Sequence, residues 1–316
     1  MALKTELCDL LEIETPIIQG GMAWVATGEL AAAVSSAGGL GIIGAGNAPA
    51  EVIEKEIDKV KELTDKPFGL NIMLLSPFAD DIIELAIDKK VPVITTGAGN
   101  PGKHVKRFQE VGSKVIPVVP SVALARRMER LDVDAVIVEG TEAGGHIGEL
   151  TTMSLVPQVV DVLDIPVIAA GGVADGRGLA AVLSLGAQGV QIGTRFVCSE
   201  ECTASEEFKK AILGARDRDA VVTGRSTGHP VRNLKNSLTR KIDKLESQGA
   251  DPKEVEEFGS GKLRDAVVDG NVKEGSVMAG QISGMISEIK SVKEIVNEII
   301  QETEKTIEKN YNLLKK

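Results

Sequence analysis

The sequence predicts an α/β fold, a (β/α)8 TIM barrel, and three observations carry that expectation. Eight short apolar runs recur along the first two-thirds of the chain, mostly β-branched and nearly continuous rather than alternating, as strands buried on both faces read. Helical patterns separate them at roughly 20–27 residues per unit, the repeat of strand, loop and helix in a barrel. The 316 residues are 43% hydrophobic but only 3% aromatic, so Val, Ile, Leu and Ala must fill a sizeable core.

The first strand, PIIQGGM (16–22), precedes GELAAAVSSAGG, an Ala-rich helix closing on Gly38 and Gly39, a C-terminal stop signal. LGIIGAG (40–46) is the second. Its helix, PAEVIEKEIDKVKELTDK, opens on Pro49 and is apolar at 52, 53, 57, 60 and 63. FGLNIML (68–74) leads into SPFADDIIELAIDKK, and VPVITTGAG (91–99) into GNPGKHVKRF. KVIPVVPS (114–121) leads into SVALARRMERLD, and AVIVEG (135–140) into a glycine-rich loop and then MSLVPQVVDVLD. PVIAAGGV (166–173) leads into GRGLAAVLSLGA, and GVQIGTRF (189–196) is the eighth strand. A doubly wound open sheet is the structural alternative. Gly39–Gly44 spells G-x-G-x-x-G, but these glycines follow a helix and lie inside a strand, the reverse of the dinucleotide fingerprint.

After the eighth strand the pattern changes. Residues 206–265 are polar and lack buried strand runs, and 280–316 return to helical periodicity. The expected organisation is a barrel of 1–205 plus 266–316, interrupted by a small, mostly helical lid at 206–265. Between Lys209 and Lys244 stand ten Lys or Arg against three Asp and no Glu, a local charge of +7 in a chain of −10. That stretch is a solvated excursion or a positive face toward an anion.

The net charge argues against nucleic acid as a partner. No apolar stretch is long enough to span a bilayer, and the N-terminus lacks an apolar signal core. Three cysteines suggest no disulfide framework, so a reducing, cytoplasmic setting is expected.

A barrel places its chemistry at the C-terminal ends of the strands, with phosphate held after the seventh and eighth. Gly171, Gly172, Gly193 and Thr194 stand there, offering bare N–H groups and a hydroxyl. Gly20, Gly21 and Met22 leave open backbone after the first strand, where a flat ring has room. Asn71 and Gln191 are amides inside apolar strands and need partners. Together these favour flavin mononucleotide over a bare phosphorylated metabolite. His146 lies in EGTEAGGHIGELTTM (139–153), among four glycines, and reads as a general acid on a loop free to shift over a ring. No second His or Cys has metal-ligand spacing. His104 is expected to cap a helix or face water. Cys198 and Cys202 are expected to pack.

IIQGGMAWV, GLNIMLLSP, VITTGAGNPG, EGTEAGGHIGELTTMSLVPQVVD, IPVIAAGGVADGRG, GVQIGTRF and MAGQISG together resemble the FMN-dependent enoyl-acyl carrier protein reductases II, within the nitronate monooxygenase (2-nitropropane dioxygenase) superfamily. The resemblance runs from about residue 15 to about 285. It implies that Gly21 and Met22 back the flavin ring, and that Asn71 and Gln191 contact ring or ribityl chain. It implies phosphate at Gly171, Gly172, Gly193 and Thr194, Glu139 near the flavin, and Met278 and Gln281 near it again. It makes His146 the catalytic histidine, NADH or NADPH the reductant and an enoyl-acyl carrier protein thioester the substrate. Acyl carrier protein is acidic, so Arg216, Arg225, Arg232 and Lys235 become its expected docking face, or a seat for nucleotide phosphates. A homodimer stands among the expected assemblies. Nitronate monooxygenase, with the same cofactor, is the rival activity. A flavin or phosphate sensor without turnover, and a flavin-free sugar-phosphate enzyme, stand further off.

Overall fold

The computed structural model describes residues 3–314. All eight expected runs form strands. In chain order these are β1 (Ile17–Gln19), β2 (Gly41–Gly44), β3 (Phe68–Met73), β4 (Val93–Gly97), β5 (Lys114–Val119) and β6 (Val136–Glu139). A two-residue strand, β7 (Gly145–His146), precedes β8 (Val167–Ala170) and β9 (Gly189–Ile192). Eight of these strands join through seven parallel pairings, in the order β1-β9-β8-β6-β5-β4-β3-β2. The two ends meet through a parallel bridge between Ile18 and Leu40. Gln19 N–H donates to Leu40 O at 2.9 Å and Leu40 N–H to Ile17 O at 2.9 Å. The Gln19 amide seals the seam, donating to Ile42 O at 3.1 Å and accepting from Ile42 N–H at 3.2 Å. The sheet is a barrel, and the open-sheet alternative falls. The glycines of the false fingerprint serve packing: a Cβ on Gly41 would lie 1.8 Å from Ala31 O, and one on Gly44 2.6 Å from Met22 O.

Strand alternation sorts the core into two layers. Ile18, Ile42, Val93, Ile116, Ile137 and Ile168 fill the barrel interior with Leu7, Cys8 and Leu11 of the helix Glu6–Leu11. That helix stops the N-terminal end, where a Cβ on Gly189 would lie 2.5 Å from Leu7. Ile17, Ile43, Leu70, Ile94, Val138 and Val190 face outward under the helices. Each such side chain contributes about 1.5–3 kcal/mol of burial. Carried on toward the C-terminal ends, the inward parity turns polar: Asn71, Thr95, Glu139 and Gln191 follow Gly69, Val93, Ile137 and Gly189. An apolar plug below and a polar layer above fix where chemistry can occur.

The insertion departs from expectation. It is not free of strands: β10 (Ala220–Thr223) and β11 (Val231–Leu234) form an antiparallel hairpin, and β11 pairs on with β7. These strands escape sequence reading because each has four residues and β10 is only half-buried. Helices Glu206–Leu213, Ser237–Ser247 and Pro252–Gly259 make up the rest, with a small core of Leu238, Ile242 and Val255. The helix Lys262–Val267 straddles the expected boundary at 265.

Residues 281–285 form a 3-10 turn, and the final helix runs Val292–Leu313 behind a capping box of Ser291 and Glu294. It packs on Gly176–Ser184. A Cβ on Gly176 would lie 2.4 Å from Ile299 O, and Thr303 Oγ1 donates to Gly176 O at 3.1 Å. Among residues 3–314 no helix is long and apolar enough to cross a membrane.

Candidate active site

The rim after β1 is fitted to side chains of other strands. A Cβ on Gly21 would lie 2.2 Å from Asn71 Cβ, and one on Gly20 3.3 Å from Gln191. These glycines therefore exist so that the chain can pass close over both amides. Met22 is half-buried, its backbone against Gly44 and its sulfur 3.3 Å from where a Gly193 Cβ would stand. Its side chain spans from the first strand's rim to the last. Asn71 Nδ2 donates to Thr95 Oγ1 at 2.9 Å, so its carbonyl oxygen stays available. Gln191 is buried and its Oε1 has no hydrogen-bond partner. An orphaned buried acceptor costs about 1–3 kcal/mol, which a ring N–H would offset. The residues fit a flavin edge.

At the far rim, Gly171 and Gly172 follow β8 with φ of +87° and +75°. L side chains disfavour that region, and it turns successive N–H groups toward one point. A Cβ on Gly172 would touch the Glu142 side chain at 3.6 Å, an ordinary contact, so the left-handed φ and not crowding selects glycine there. Gly193 and Thr194 follow β9 and start the short helix Thr194–Val197. Thr194 Oγ1 accepts from Gly280 N–H at 3.0 Å and keeps its own proton to donate.

Glu139 ends β6 facing inward. Burial alone pushes its pKa up to about 7; no cation faces it. It can therefore be a hydrogen-bond donor near neutrality.

The loop after β6 is held on all sides. The Glu142 carboxylate accepts from Thr152 N–H and Oγ1, both at 3.0 Å, and Glu142 O accepts from Gln281 N–H at 2.9 Å. A Cβ on Gly144 would stand 2.7 Å from Ala279 and one on Gly145 3.5 Å from Met278 Sδ. The segment 278–281 thus packs on the loop after β6, backbone against backbone. His146 pairs with Val231 of β11, and Ile147 N–H donates to Pro230 O at 3.1 Å. The expectation of a free loop is corrected: the inserted hairpin pins the histidine's main chain. Its imidazole is exposed at the mouth, yet surrounding protein, then nearby His229, lowers its pKa.

The basic segment divides. Among residues 3–314 Arg216 and Arg225 form no ion pair, and Lys235 Nζ donates to Arg218 O at 3.4 Å. Arg232 is 5% exposed and donates to Thr141 O at 2.8 and 3.1 Å and to Ala220 O at 3.2 Å. It does not belong to a docking face, because its charge is spent on main-chain carbonyls. Lys209, also counted in the +7, is buried on Ser199 O. His104 neither caps nor faces water: it is buried in the helix Gly102–Glu110 with Nδ1 unpaired. Cys198 and Cys202 are buried, as expected, and so is Cys8; burial pushes the Cys198 thiol up to about 12. Thr95 stands among the strand-end residues that the barrel rule singles out from the sequence. Sequence reasoning missed Glu142 and the Arg232 clamp, which are long-range contacts with no local signal. Among residues 3–314 no cluster of His, Cys, Asp or Glu could hold a metal.

The closed barrel with its polar inner rim is matched by a family and by solved structures that set the class, a flavin-dependent oxidoreductase. The chain belongs to the nitronate monooxygenase family, whose profile matches residues 4–302. It is 52% identical to the solved structure of FabK from Thermotoga maritima, covering 98% of this chain and 99% of that one, with a TM-score of 0.96. A nitroalkane oxidase from Streptomyces ansochromogenes is 29% identical with a TM-score of 0.84, covering 95% and 98%. Among curated relatives, a probable nitronate monooxygenase of Staphylococcus saprophyticus is 36% identical over 92% of this chain and 95% of its own. The (3aS,4S,5R,7aS)-5-hydroxy-7a-methyl-1-oxo-octahydro-1H-indene-4-carboxyl-CoA dehydrogenase of Mycobacterium tuberculosis is 35% identical over 93% and 94%.

Proposed function

We propose that this chain is an FMN-dependent enoyl-acyl carrier protein reductase that uses NADH or NADPH to saturate trans-2-enoyl thioesters. The observation that carries the reading is His146, fixed to the inserted hairpin on the loop that leaves Glu139, at a rim that also presents Asn71 and Gln191. The likeness to FabK supports it over other reactions of the family. So does the Mycobacterium relative, whose name places a thioester dehydrogenase on this fold.

A bound FMN would supply the chemistry of hydride transfer between nicotinamide and the enoyl chain. The protein's own groups do the rest. The N–H groups of Gly171, Gly172, Gly193 and Thr194, with the Thr194 hydroxyl, take the phosphate. Gln191 Oε1 and Asn71 Oδ1 accept from the ring or ribityl chain, and Glu139 donates or accepts according to its proton. Met22 covers one face, and Met278 and Gln281 close the rim. His146 has a lowered pKa, so it is neutral near pH 7 and donates an N–H to the thioester carbonyl as negative charge develops there. Alternatively His146 starts as imidazolium, gives that proton to Cα and returns to the neutral base. Arg216, Arg225 and Lys235 remain as the face for acidic acyl carrier protein.

Anaerobic oxidation of NADH or NADPH driven by a crotonyl thioester tests this. Turnover is expected; none refutes it. The family profile and the staphylococcal relatives favour nitronate monooxygenase as second reading. Oxygen uptake with an alkyl nitronate, without thioester turnover, would establish that instead.

A further inference from the structure

We propose that Arg232 is a positioning residue for His146, its guanidinium locking the loop after β6 onto the inserted hairpin. This rests on the reading of His146 as the proton donor. Arg232 lies on β11, opposite Gly145 in the β11–β7 register and one place from the Val231–His146 pair. Its main chain therefore holds one end of the segment 141–146. Its side chain holds the other: Nε and Nη2 both close on Thr141 O, at 3.1 and 2.8 Å. The third donor, Nη1, reaches Ala220 O on β10 at 3.2 Å. One residue thus joins two hairpin strands to both ends of the turn that presents the imidazole. The glycines at 144 and 145 give that turn no stiffness of its own, so its order must be imposed from outside.

A planar fork is needed for this. Lysine offers one point charge that cannot engage both carbonyls in this geometry, and methionine offers length without donors. The geometry also gives the insertion a role beyond covering the mouth, since hairpin and catalytic loop order together.

Arg232→Met and Arg232→Lys, each carrying cofactor, test the assignment by two readouts. Peptide-level hydrogen exchange over 139–151 is expected to quicken by on the order of tenfold in Arg232→Met and less in Arg232→Lys, with β3 and β4 peptides unchanged. In turnover, kcat with enoyl thioester is expected to fall about tenfold or more while KM for the nicotinamide stays within about twofold. Unchanged exchange over 139–151 would overturn the proposal, and so would equal quickening across the barrel. Should Arg232→Met fail to fold, Arg232→Lys carries the same comparison. If the wild-type protein shows no enoyl-thioester turnover, the functional reading fails, and the exchange result alone decides whether Arg232 orders the loop.

Discussion

Replacing Glu139 by Gln should change how stability responds to pH. In the fold its pKa rises from 4.5 to about 7, with burial as the only cause. Below pH 4.5 both the folded and unfolded chains hold this proton, and the position carries no penalty. Between 4.5 and about 7 the unfolded chain releases it while the folded chain keeps it, so stability falls as pH rises. Above about 7 the loss is complete and amounts to ~3 kcal/mol. Glutamine abolishes the titration. In cofactor-stripped protein, the variant's advantage over wild type in urea unfolding should therefore grow by ~3 kcal/mol from pH 4.5 to pH 8. For 316 residues that corresponds to about 5 °C in melting temperature. Taking the difference between the two proteins at each pH cancels every other titrating group. A difference that stays flat across the window would refute the buried-carboxyl argument.

His146→Ala should keep its yellow cofactor and lose about 10²–10⁴-fold in enoyl-thioester kcat, measured by anaerobic NAD(P)H oxidation. Gly171→Ala forces a side chain to φ +87° and 2.9 Å from Gly140 O, a strain on the order of 1–3 kcal/mol; flavin fluorescence titration should show cofactor affinity weakened about tenfold or more. Gly144→Ala presses a methyl to 2.7 Å from the Ala279 backbone, and calorimetry should show a loss of about 1–3 kcal/mol. Cys8, Cys198 and Cys202 are each 3% exposed or less, so an aromatic disulfide reagent at pH 8 should label none until urea unfolds the chain.

The barrel was legible because its signal is local and repeated: each of the eight strands is an apolar run bounded by a turn residue. The candidate site's rim was legible because the barrel rule converts strand ends into a list, on which Asn71, Thr95 and Glu139 stand, while Gln191 shows itself as an amide inside an apolar strand. What lay hidden was tertiary. Gly21 looks like room for a ring, yet the Cβ it lacks would overlap Asn71. Arg232 looks like part of a charged surface, yet two backbone carbonyls bury it. The strands β10 and β11 are flanked by Gly224 and Pro230, and β11 finds its second partner strand only in the distant Gly145–His146. In each case the deciding partner lies many tens of residues away in sequence.

The contact of residues 142–144 with 279–281, and of Gly176 with Ile299 and Thr303, sets an order on biosynthesis. A nascent chain that has emerged through its eighth stave owns Gly171, Gly172, Gly193 and Thr194, the proposed phosphate cradle, but not the strap that braces the neighbouring loop. If that assignment holds, cofactor uptake should come only when the ribosome has nearly finished translating, and premature stops before Met278 should yield colourless protein.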